Sequence, residues 1–468
     1  MSSSTPLIDW PCAQHGDGAP PVAWRGARPV SAGRFLADVH RVAARLPAGR
    51  HLLNLCADRY HFAVAFCAAV LAGRVSLLPP NHSAELFGRL RELYDDLNVI
   101  ADNDTVLSAG FRVCRYPSDA DGRTGHADGS AGGPPPGVPM IADDAVVAHV
   151  FTSGSTGLPT AHRKTWARLV YNVRSEALRL GLLTGSPTTL VGTVPAQHMY
   201  GFESTVMLGL QNRIAFNGGS PFYPADIVAA LAAIPGDRVL VTTPFHLRTL
   251  LAVPGPMPAV RMIVSATAPL SPQVAREVED RFAAPLLEIY GCTEAGQLAT
   301  RRPVEGDLWQ TFRGVTIATG LDADGDAAWF AAGGHIETPT ALSDVLVLET
   351  PEWFRLLGRG ADMVNVAGKR ASLAHLNHLL CEIPGVVDGA FFNPDTGLHD
   401  VARLTAFFVS ETLTERDVLA ALRHRTDAVF LPRPLHRVDR LPRAATGKLP
   451  QAALAELAAR CRSRREPV

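Results

Sequence analysis

Helical and strand patterns alternate along most of this 468-residue chain. Apolar residues recur at helical spacing in 34–46 and 61–71. Short apolar runs suited to buried strands lie between and after them, at 75–78, 146–151, 189–194, 239–242 and 262–264. This alternation favours an α/β fold in which helices cover β-sheets.

The chain is longer than one hydrophobic core usually serves, so we expect a large domain and a smaller one. The pattern changes near Gly358, after which a shorter α/β pattern leads to a basic end. We therefore predict a large N-terminal domain, 1–358, and a small mobile C-terminal domain, 359–468. Residues 117–144, rich in Gly, Pro, Asp and Ser, are expected to form a solvent-exposed connection.

Charge and composition exclude several classes of function. The formal net charge of -1 gives no reason to expect a nucleic-acid partner. The most apolar stretch, 62–73, falls short of the ~20 residues that span a bilayer, and predicts a buried helix. The seven cysteines form no C-x-x-C pair, and residues 1–20 lack the apolar centre of an export signal. We expect a cytoplasmic protein without a membrane span.

The most informative segment runs from Val150 to Pro159, where an apolar strand enters a turn of Ser, Thr and Gly. Glycine lets backbone N–H groups converge on an anion, and hydroxyl groups add donors, so this turn can hold phosphates. The Walker pattern G-x-x-x-x-G-K-[ST] is absent from it. Taken alone, such a cluster is also typical of an ordinary loop.

Four further segments follow in order, and with the turn they resemble the adenylate-forming superfamily of acyl-CoA synthetases, peptide-synthetase adenylation domains and luciferases. The segments are Ser265-Ala-Thr-Ala-Pro-Leu270, Tyr290-Gly-Cys-Thr-Glu294, Gly358-Arg359 through Gly368-Lys-Arg370, and Pro442 to Lys448. The resemblance implies an enzyme that uses ATP and Mg²⁺ to convert a carboxylic acid into an acyl-adenylate and passes the acyl group to a thiol.

The resemblance also implies roles for individual residues. Adenylation brings two anions together, so cations and oriented donors are needed. Lys448 is the expected mobile ammonium, Thr293 the α-phosphate contact and Glu294 the Mg²⁺ ligand. The implied ATP/AMP-binding residues are Thr152, Ser153, Gly154, Ser155, Thr156, Gly157, Ala266, Thr267, Tyr290, Gly291, Asp344, Arg359 and Arg370.

The chain departs from the family pattern at two places. Thr160 replaces the lysine that usually follows the hydroxyl turn, and we predict that Lys164 takes over its phosphate contact. Ala361 stands at the hinge position, where relatives often carry Asp or Lys. Asp344 follows Ser343 instead of Gly, so a plain solvated aspartate remains an alternative to a ribose ligand.

Four residues are candidates for the acid pocket: His198, Phe202, His246 and Thr267. His198 could equally be a hydrogen-bonded core histidine. Thr267 stands where many relatives have Gly, so its larger side chain predicts a compact acid.

Within the superfamily the chain resembles stand-alone ligases of aryl polyene and xanthomonadin pathways, which load an aromatic acid such as 4-hydroxybenzoate onto an acyl carrier protein. The resemblance lies in the short chain, in 162–166 and in 290–301. A basic excess in 423–443 could steer an acidic carrier protein, or be a solvated face, or meet CoA. An aryl- or fatty-acyl-CoA ligase and a degenerate, non-catalytic nucleotide-binding protein remain alternatives.

Overall fold

The computed structural model describes residues 3–10, 20–79, 83–103, 111–117, 137–153, 159–322, 325, 327–359, 363–366, 369–394, 404–443 and 449–463. These residues form the α/β fold that the sequence predicts, with helices packed on mixed β-sheets. Among them, no helix combines the length and the hydrophobicity that crossing a bilayer requires.

In its described residues, the first third of the chain contributes ten strands and three helices. They are β1 Ser4–Pro6, β2 Ala23–Arg25, β3 Arg28–Val30, α1 Ala32–Ala43, β4 His51–Asn54, α2 Arg59–Leu71, β5 Val75–Leu78, α3 Ala84–Leu93, β6 Asn98–Ala101, β7 Arg112–Arg115, β8 Met140–Ala142, β9 Val146–Ser153 and β10 Pro159–Thr165.

The middle of the chain supplies most of the central sheet. Its elements are α4 Trp166–Arg179, β11 Thr188–Gly192, α5 Met199–Gly201, a π-helix Phe202–Met207, α6 Leu208–Asn212, β12 Ala215–Asn217, α7 Pro224–Ala233, β13 Asp237–Thr242, α8 Pro244–Leu251, β14 Met262–Ser265, α9 Pro272–Phe282, β15 Leu286–Cys292 and β16 Gly296–Arg301.

Within the described residues, the last part adds three strands of the central sheet, several small sheets and three helices. Its elements are β17 Leu308–Thr311, β18 Val315–Leu321, β19 Ala327–Gly333, β20 Thr340–Leu342, β21 Asp344–Thr350, β22 Trp353–Arg359, β23 Met363–Val366, β24 Lys369–Ser372, α10 Leu373–Cys381, β25 Asp388–Phe392, β26 Thr405–Val409, α11 Glu415–Arg423, a 3₁₀ turn Ala428–Phe430, β27 Leu435–Arg437 and α12 Gln451–Ser463.

Two large sheets organise the first 358 residues. The central sheet has the strand order β21-β22-β17-β16-β15-β14-β13-β11-β12-β2-β3, and the second sheet has the order β10-β9-β5-β4-β6-β7. In the central sheet the consecutive strands β15, β14, β13, β11, β12 and β2 run parallel. Parallel pairing requires crossover connections, which explains the alternation of helices and strands in the sequence.

Local sequence signals fix where the helices begin. Ser31, Asp58, Ser83 and Ser271 precede α1, α2, α3 and α9, and each side chain accepts a hydrogen bond from a backbone N–H in the first turn. These caps satisfy donors that have no partner within the helix. In α2 all but two of the 13 residues are buried, which confirms the buried helix predicted from the apolar stretch.

The strands predicted at 75–78, 146–151, 239–242 and 262–264 are confirmed within two residues at each end. β8 was not predicted, because it lies in the region expected to be a connection. It pairs antiparallel with β1, more than a hundred residues away, and three residues are too few to give a local pattern. Residues 118–136 of that region lie outside the described ranges.

The buried apolar side chains divide near the predicted domain boundary. One cluster includes Leu346 and Phe354, and the next along the chain begins at Val364 and extends to Leu435. Among the described residues, no cluster combines members from both sides of Gly358. The boundary itself and the mobility of the smaller unit stay predictions.

A fully buried arginine joins α2 to the central sheet. The Arg59 guanidinium donates to the carbonyl oxygens of Gly192 at 2.7 Å and Val194 at 3.0 Å, and to Oγ1 of Thr205 at 3.0 Å. Burial lowers the pKa of Arg59 to about 10, so the group stays charged at neutral pH. The chain leaving β11 is therefore held by a buried cation.

We predict that Arg59→Leu lowers the free energy of unfolding by about 3–5 kcal/mol, because it leaves three buried acceptors without their donor. Urea denaturation followed by circular dichroism measures the loss. The matched control is Arg355→Leu, which removes an exposed pair with Asp307 and should have a much smaller effect. Equal losses in the two variants would contradict a structural role for the buried charge.

Candidate functional site

Segments distant in sequence meet at the carboxyl edge of the central sheet. Thr193 follows β11, Thr243 follows β13 and Ala266 follows β14, while the loop to Glu294 continues β15. The backbone N–H of Thr193 donates to Val241 at 2.9 Å, so neighbouring strands end in register. Ligands of parallel α/β sheets bind at such an edge. The predicted acid-binding and nucleotide-binding segments therefore share one location.

Three predicted nucleotide contacts lie together at one side of this edge. The Tyr290 hydroxyl donates to Oδ2 of Asp344 at 2.8 Å, and the Tyr290 ring packs against Trp309 and Phe354. Asp344 is the backbone partner of Arg359 in the β21–β22 register. Their ribose and phosphate roles stay predictions.

Other predicted residues are not brought to this group. Arg370 lies in the separate two-stranded sheet of β23 and β24. Thr152 and Ser153 end β9, where they face Thr160 and Pro159 of β10 in an antiparallel hairpin. Five predicted site residues fall outside the described ranges, as does the hinge position: Gly154, Ser155, Thr156, Gly157, Lys448 and Ala361.

Lys164 lies beneath the Glu294 loop. Its Nζ donates to the backbone carbonyl of Glu294 at 2.8 Å. Burial lowers the pKa of Lys164, and the carboxylates of Glu203 and Glu294 act against that shift. The ammonium therefore fixes the chain at Glu294, while the predicted phosphate contact stays a prediction.

The end of β15 and the loop after it carry two polar side chains, those of Thr293 and Glu294, and one unreactive thiol, that of Cys292. Thr293 and Glu294 are half-buried, and the backbone at Gly291 packs so closely on Gly296 that a Cβ would lie 2.4 Å from its carbonyl oxygen. Burial, reinforced by Glu294, raises the pKa of the Cys292 thiol to about 12. Cys292 is thus protonated at neutral pH and is not poised as a nucleophile.

Thr267 has a backbone conformation that normally belongs to glycine. Its φ is 80°, in the left-handed region where a β-branched residue is strained by about 1–3 kcal/mol. This is consistent with the family resemblance, in which Thr267 stands where many relatives have Gly. The side chain is held against the local backbone preference at the edge where the acid is expected.

The candidate pocket residues differ in their surroundings. Nδ1 of His246 lies 2.9 Å from Oγ1 of Thr243 and 3.2 Å from Oγ1 of Thr193, and burial lowers the pKa of His246 to about 4. His198 caps the short helix α5 and is half-buried. Phe202 is fully buried and packs edge-to-face on Phe66. The structure gives Phe202 a packing role, and its contact with the acid stays a prediction.

A buried polar cluster behind this edge was not predicted from the sequence. It consists of Asn172 and Glu176 from α4, Glu203 and Ser204 from the π-helix, and Gln297 from β16, and Lys164 lies beside it. A signal was available: Asn172 and Glu176 are four residues apart and fall among Leu169, Val173 and Ala177 on the buried face of α4.

Comparison with known proteins completes the description of the site. Residues 9–319 match the model of a family described as "AMP-binding enzyme". The chain is 30% identical over 279 residues to a 4-coumarate–CoA ligase of Rhodobacter capsulatus, covering 59% of this chain and 67% of the relative. It is 27% identical over 397 residues to a 4-chlorobenzoate–CoA ligase of Arthrobacter sp., covering 75% and 70%.

Solved structures give the same fold. ATP-bound MatB from Rhodopseudomonas palustris superposes with a TM-score of 0.76 at 21% identity, covering 92% of this chain and 94% of that one. The anthranilate CoA ligase AuaEII in complex with anthranoyl-AMP gives a TM-score of 0.77 at 14% identity, covering 96% and 95%.

We predict that Lys164→Met weakens ATP binding about ten- to a hundredfold, because it removes a charge-assisted hydrogen bond that holds the Glu294 loop. The KM for ATP in pyrophosphate exchange, together with ATP titration calorimetry, measures the effect. Arg163→Met is the control, since Arg163 is exposed and its guanidinium lies 3.6 Å from the carboxylate of Glu337. Unchanged ATP affinity in Lys164→Met would remove Lys164 from the site.

Proposed function

The chain belongs to the family of AMP-binding enzymes, and from that premise we propose that it activates a small aromatic carboxylic acid, such as 4-hydroxybenzoate, and loads it onto an acyl carrier protein. The enzyme is an acid–thiol ligase that uses ATP and forms an acyl-adenylate. A carboxylate oxygen of the acid attacks the α-phosphorus, and pyrophosphate leaves. The thiolate sulfur of the acceptor then attacks the acyl carbon, and AMP leaves.

The convergence of the predicted segments on one sheet edge is the observation that carries this proposal. Tyr290 and Asp344 form a hydrogen-bonded pair there, which we assign to the ribose. Thr293 follows Tyr290 by three residues in the chain, and we assign it to the α-phosphate. The chain between Ala266 and Leu270 leaves the neighbouring strand, where it can border the adenine.

The residues at this edge fit a magnesium ion. Glu294 offers a half-buried carboxylate in a loop fixed from below by Lys164. Mg²⁺ prefers hard oxygen ligands, and is commonly held by one or two carboxylates together with substrate phosphates. Glu294 would hold it, and the bound ion would neutralise charge on the phosphates.

Lys448 is assigned to the adenylation step. A flexible ammonium from the small domain can lie between the carboxylate and the α-phosphate as they approach, and can then withdraw with its segment. The ammonium of Lys448 is not required in the second step, because the thiolate then attacks a carbonyl that is already activated.

A compact aromatic acid is supported by two observations. Thr267 adds a side chain, held in a strained conformation, at the edge where the acid is expected. Several similar proteins are named for aromatic or phenylpropenoid acids, among them the 4-coumarate and 4-chlorobenzoate ligases.

An acidic carrier protein is supported by exposed charge near the C-terminal end. Five arginines of the segment 423–443 are exposed and form no ion pair within the described part of the chain: Arg423, Arg425, Arg433, Arg437 and Arg440. A positive surface of this kind steers negative partners. Arg443 is different, because it forms a paired contact with both carboxylate oxygens of Asp388 at 2.7 Å.

CoA is the second candidate acceptor. The curated relatives reported above are CoA ligases, and the phosphates of CoA could meet the same arginines. A coarser function, acid activation followed by transfer to a thiol, is common to both candidates.

We predict that Lys448→Ala slows adenylate formation by at least about a thousandfold, because preorganised electrostatic groups of this kind contribute factors of that size. Thioester formation from supplied acyl-adenylate should stay largely intact. Pyrophosphate exchange measures the first half-reaction, and single-turnover thioester formation measures the second. Equal losses in both would contradict the assignment.

We predict that a holo acyl carrier protein accepts the acyl group faster than CoA does in side-by-side thioesterification assays. The double variant Arg423→Glu/Arg440→Glu should raise the KM for the carrier protein more than about tenfold and leave exchange unchanged, because it reverses local charge. Arg276→Glu, an exposed arginine of α9, is the matched control. Strong preference for CoA would overturn the carrier-protein assignment.

A further inference from the structure

We propose that the buried polar cluster of Asn172, Glu176, Glu203, Ser204 and Gln297 recognises a hydroxyl group on the acid, at the end opposite its carboxylate. The inference rests on the proposed function, because it concerns the acid of that same site. It adds the residues that would select a phenolic acid over one with an apolar end.

Three segments build the cluster. Nδ2 of Asn172 donates to Oε1 of Glu203 at 3.1 Å, and Nε2 of Gln297 donates to Oγ of Ser204 at 2.7 Å. Glu176 is fully buried beside them. These bonds fix the amide groups of Asn172 and Gln297 with their oxygens left over.

The main observation is that several side-chain oxygens of the cluster have no hydrogen-bond partner within the described residues. Within the described residues, Oδ1 of Asn172, Oε1 of Gln297 and both carboxylate oxygens of Glu176 are buried without a hydrogen-bond partner. Ser204 and Gln297 approach Glu176 closely enough to lower its pKa, but no contact there has hydrogen-bond geometry. Buried polar atoms are rarely left unpaired in native proteins, so the cluster indicates a ligand that donates hydrogen bonds.

The acidic side chains of the cluster limit which group of the acid can bind there. Burial, together with the neighbouring Glu203, raises the pKa of Glu176 to about 8. Burial also raises the pKa of Glu203 to about 7, although Lys164 opposes the shift. Both shifts show that these surroundings disfavour negative charge, so a second carboxylate on the acid would be destabilised there. A hydroxyl group donates and accepts without adding charge.

The cluster lies next to the candidate site. Gly296 packs between the cluster and the Glu294 loop, and a Cβ added to Gly296 would lie 2.9 Å from Nδ2 of Asn172 and 3.4 Å from Oε1 of Glu203. The hydroxyl of Tyr200, which lies near Glu176, donates to the carbonyl of Val264 at the end of β14. The polar cluster therefore lies inward from the strand ends that carry the predicted nucleotide contacts.

The first test uses the unmodified enzyme and two acids of similar size. Pyrophosphate exchange with 4-hydroxybenzoate should have a kcat/KM at least about a hundredfold higher than exchange with 4-methylbenzoate, because a site built to bond a hydroxyl rejects the analogue without it. Equal values would overturn this inference and leave the proposed function standing. Failure to exchange with any acid would overturn the proposed function, and the inference with it.

The second test separates recognition from general stability. Gln297→Met should lower kcat/KM for 4-hydroxybenzoate at least about tenfold and leave that for 4-methylbenzoate unchanged or higher. Gln211→Met is matched to it, because Gln211 is also buried, has an unpaired Oε1, and donates to the carbonyl of Leu7 away from the site. If the two variants change the ratio of the two acids alike, the cluster has only a structural role and the inference fails.

Discussion

Parallel pairing of β11, β13, β14 and β15 is the constraint on which the rest of the structure depends. Because neighbouring parallel strands all end at the same edge, the segments that follow them are brought within reach of one ligand. Side chains as short as those of Thr193, Thr243 and Thr293 can then lie near the same ligand.

Two of these strand ends are held by basic side chains, the buried Arg59 and the half-buried Lys164. Arg59 donates to the carbonyls of Gly192 and Val194 after β11, and Lys164 donates to the carbonyl of Glu294 after β15. Desolvating a charge is expensive, so each cation stays in place only because it satisfies buried acceptors. After a third strand, β14, the backbone of Thr267 has a strained, left-handed conformation. The edge is therefore preorganised before any ligand arrives, which lowers the entropy lost on binding.

The fold was largely predictable because its signals are local. The apolar runs at β5, β13 and β14 and the capping residues Ser31 and Asp58 can each be recognised within a few residues. The order of the strands in the central sheet depends on contacts between residues far apart in the sequence. No local periodicity in the sequence predicts that order.

The candidate site was predictable only in part, for the same reason. The motif residues Tyr290 and Glu294 could be named because their segments resemble a known family. The contact of Lys164 with the carbonyl of Glu294 joins residues 130 positions apart, so it was not predictable from the sequence, while the phosphate contact predicted for Lys164 stays a prediction. The polar cluster was missed because Glu203 acquires its meaning from α4 and β16, which pack against the π-helix only in the folded chain.

Under the proposed function, selection of the acid and selection of the acceptor use different physics. Buried groups would discriminate between acids, because an oxygen of Glu176 or Gln297 left unpaired by a wrong substrate penalises that substrate strongly where water cannot replace the missing bond. Exposed arginines would discriminate between acceptors, and their effect is screened by salt and acts mainly on the rate of encounter. Arg443 shows the distinction within one segment, since its pairing with Asp388 removes it from the steering surface. Charge counted along the sequence therefore overstates the acceptor surface, and only the unpaired, exposed arginines can contribute to it.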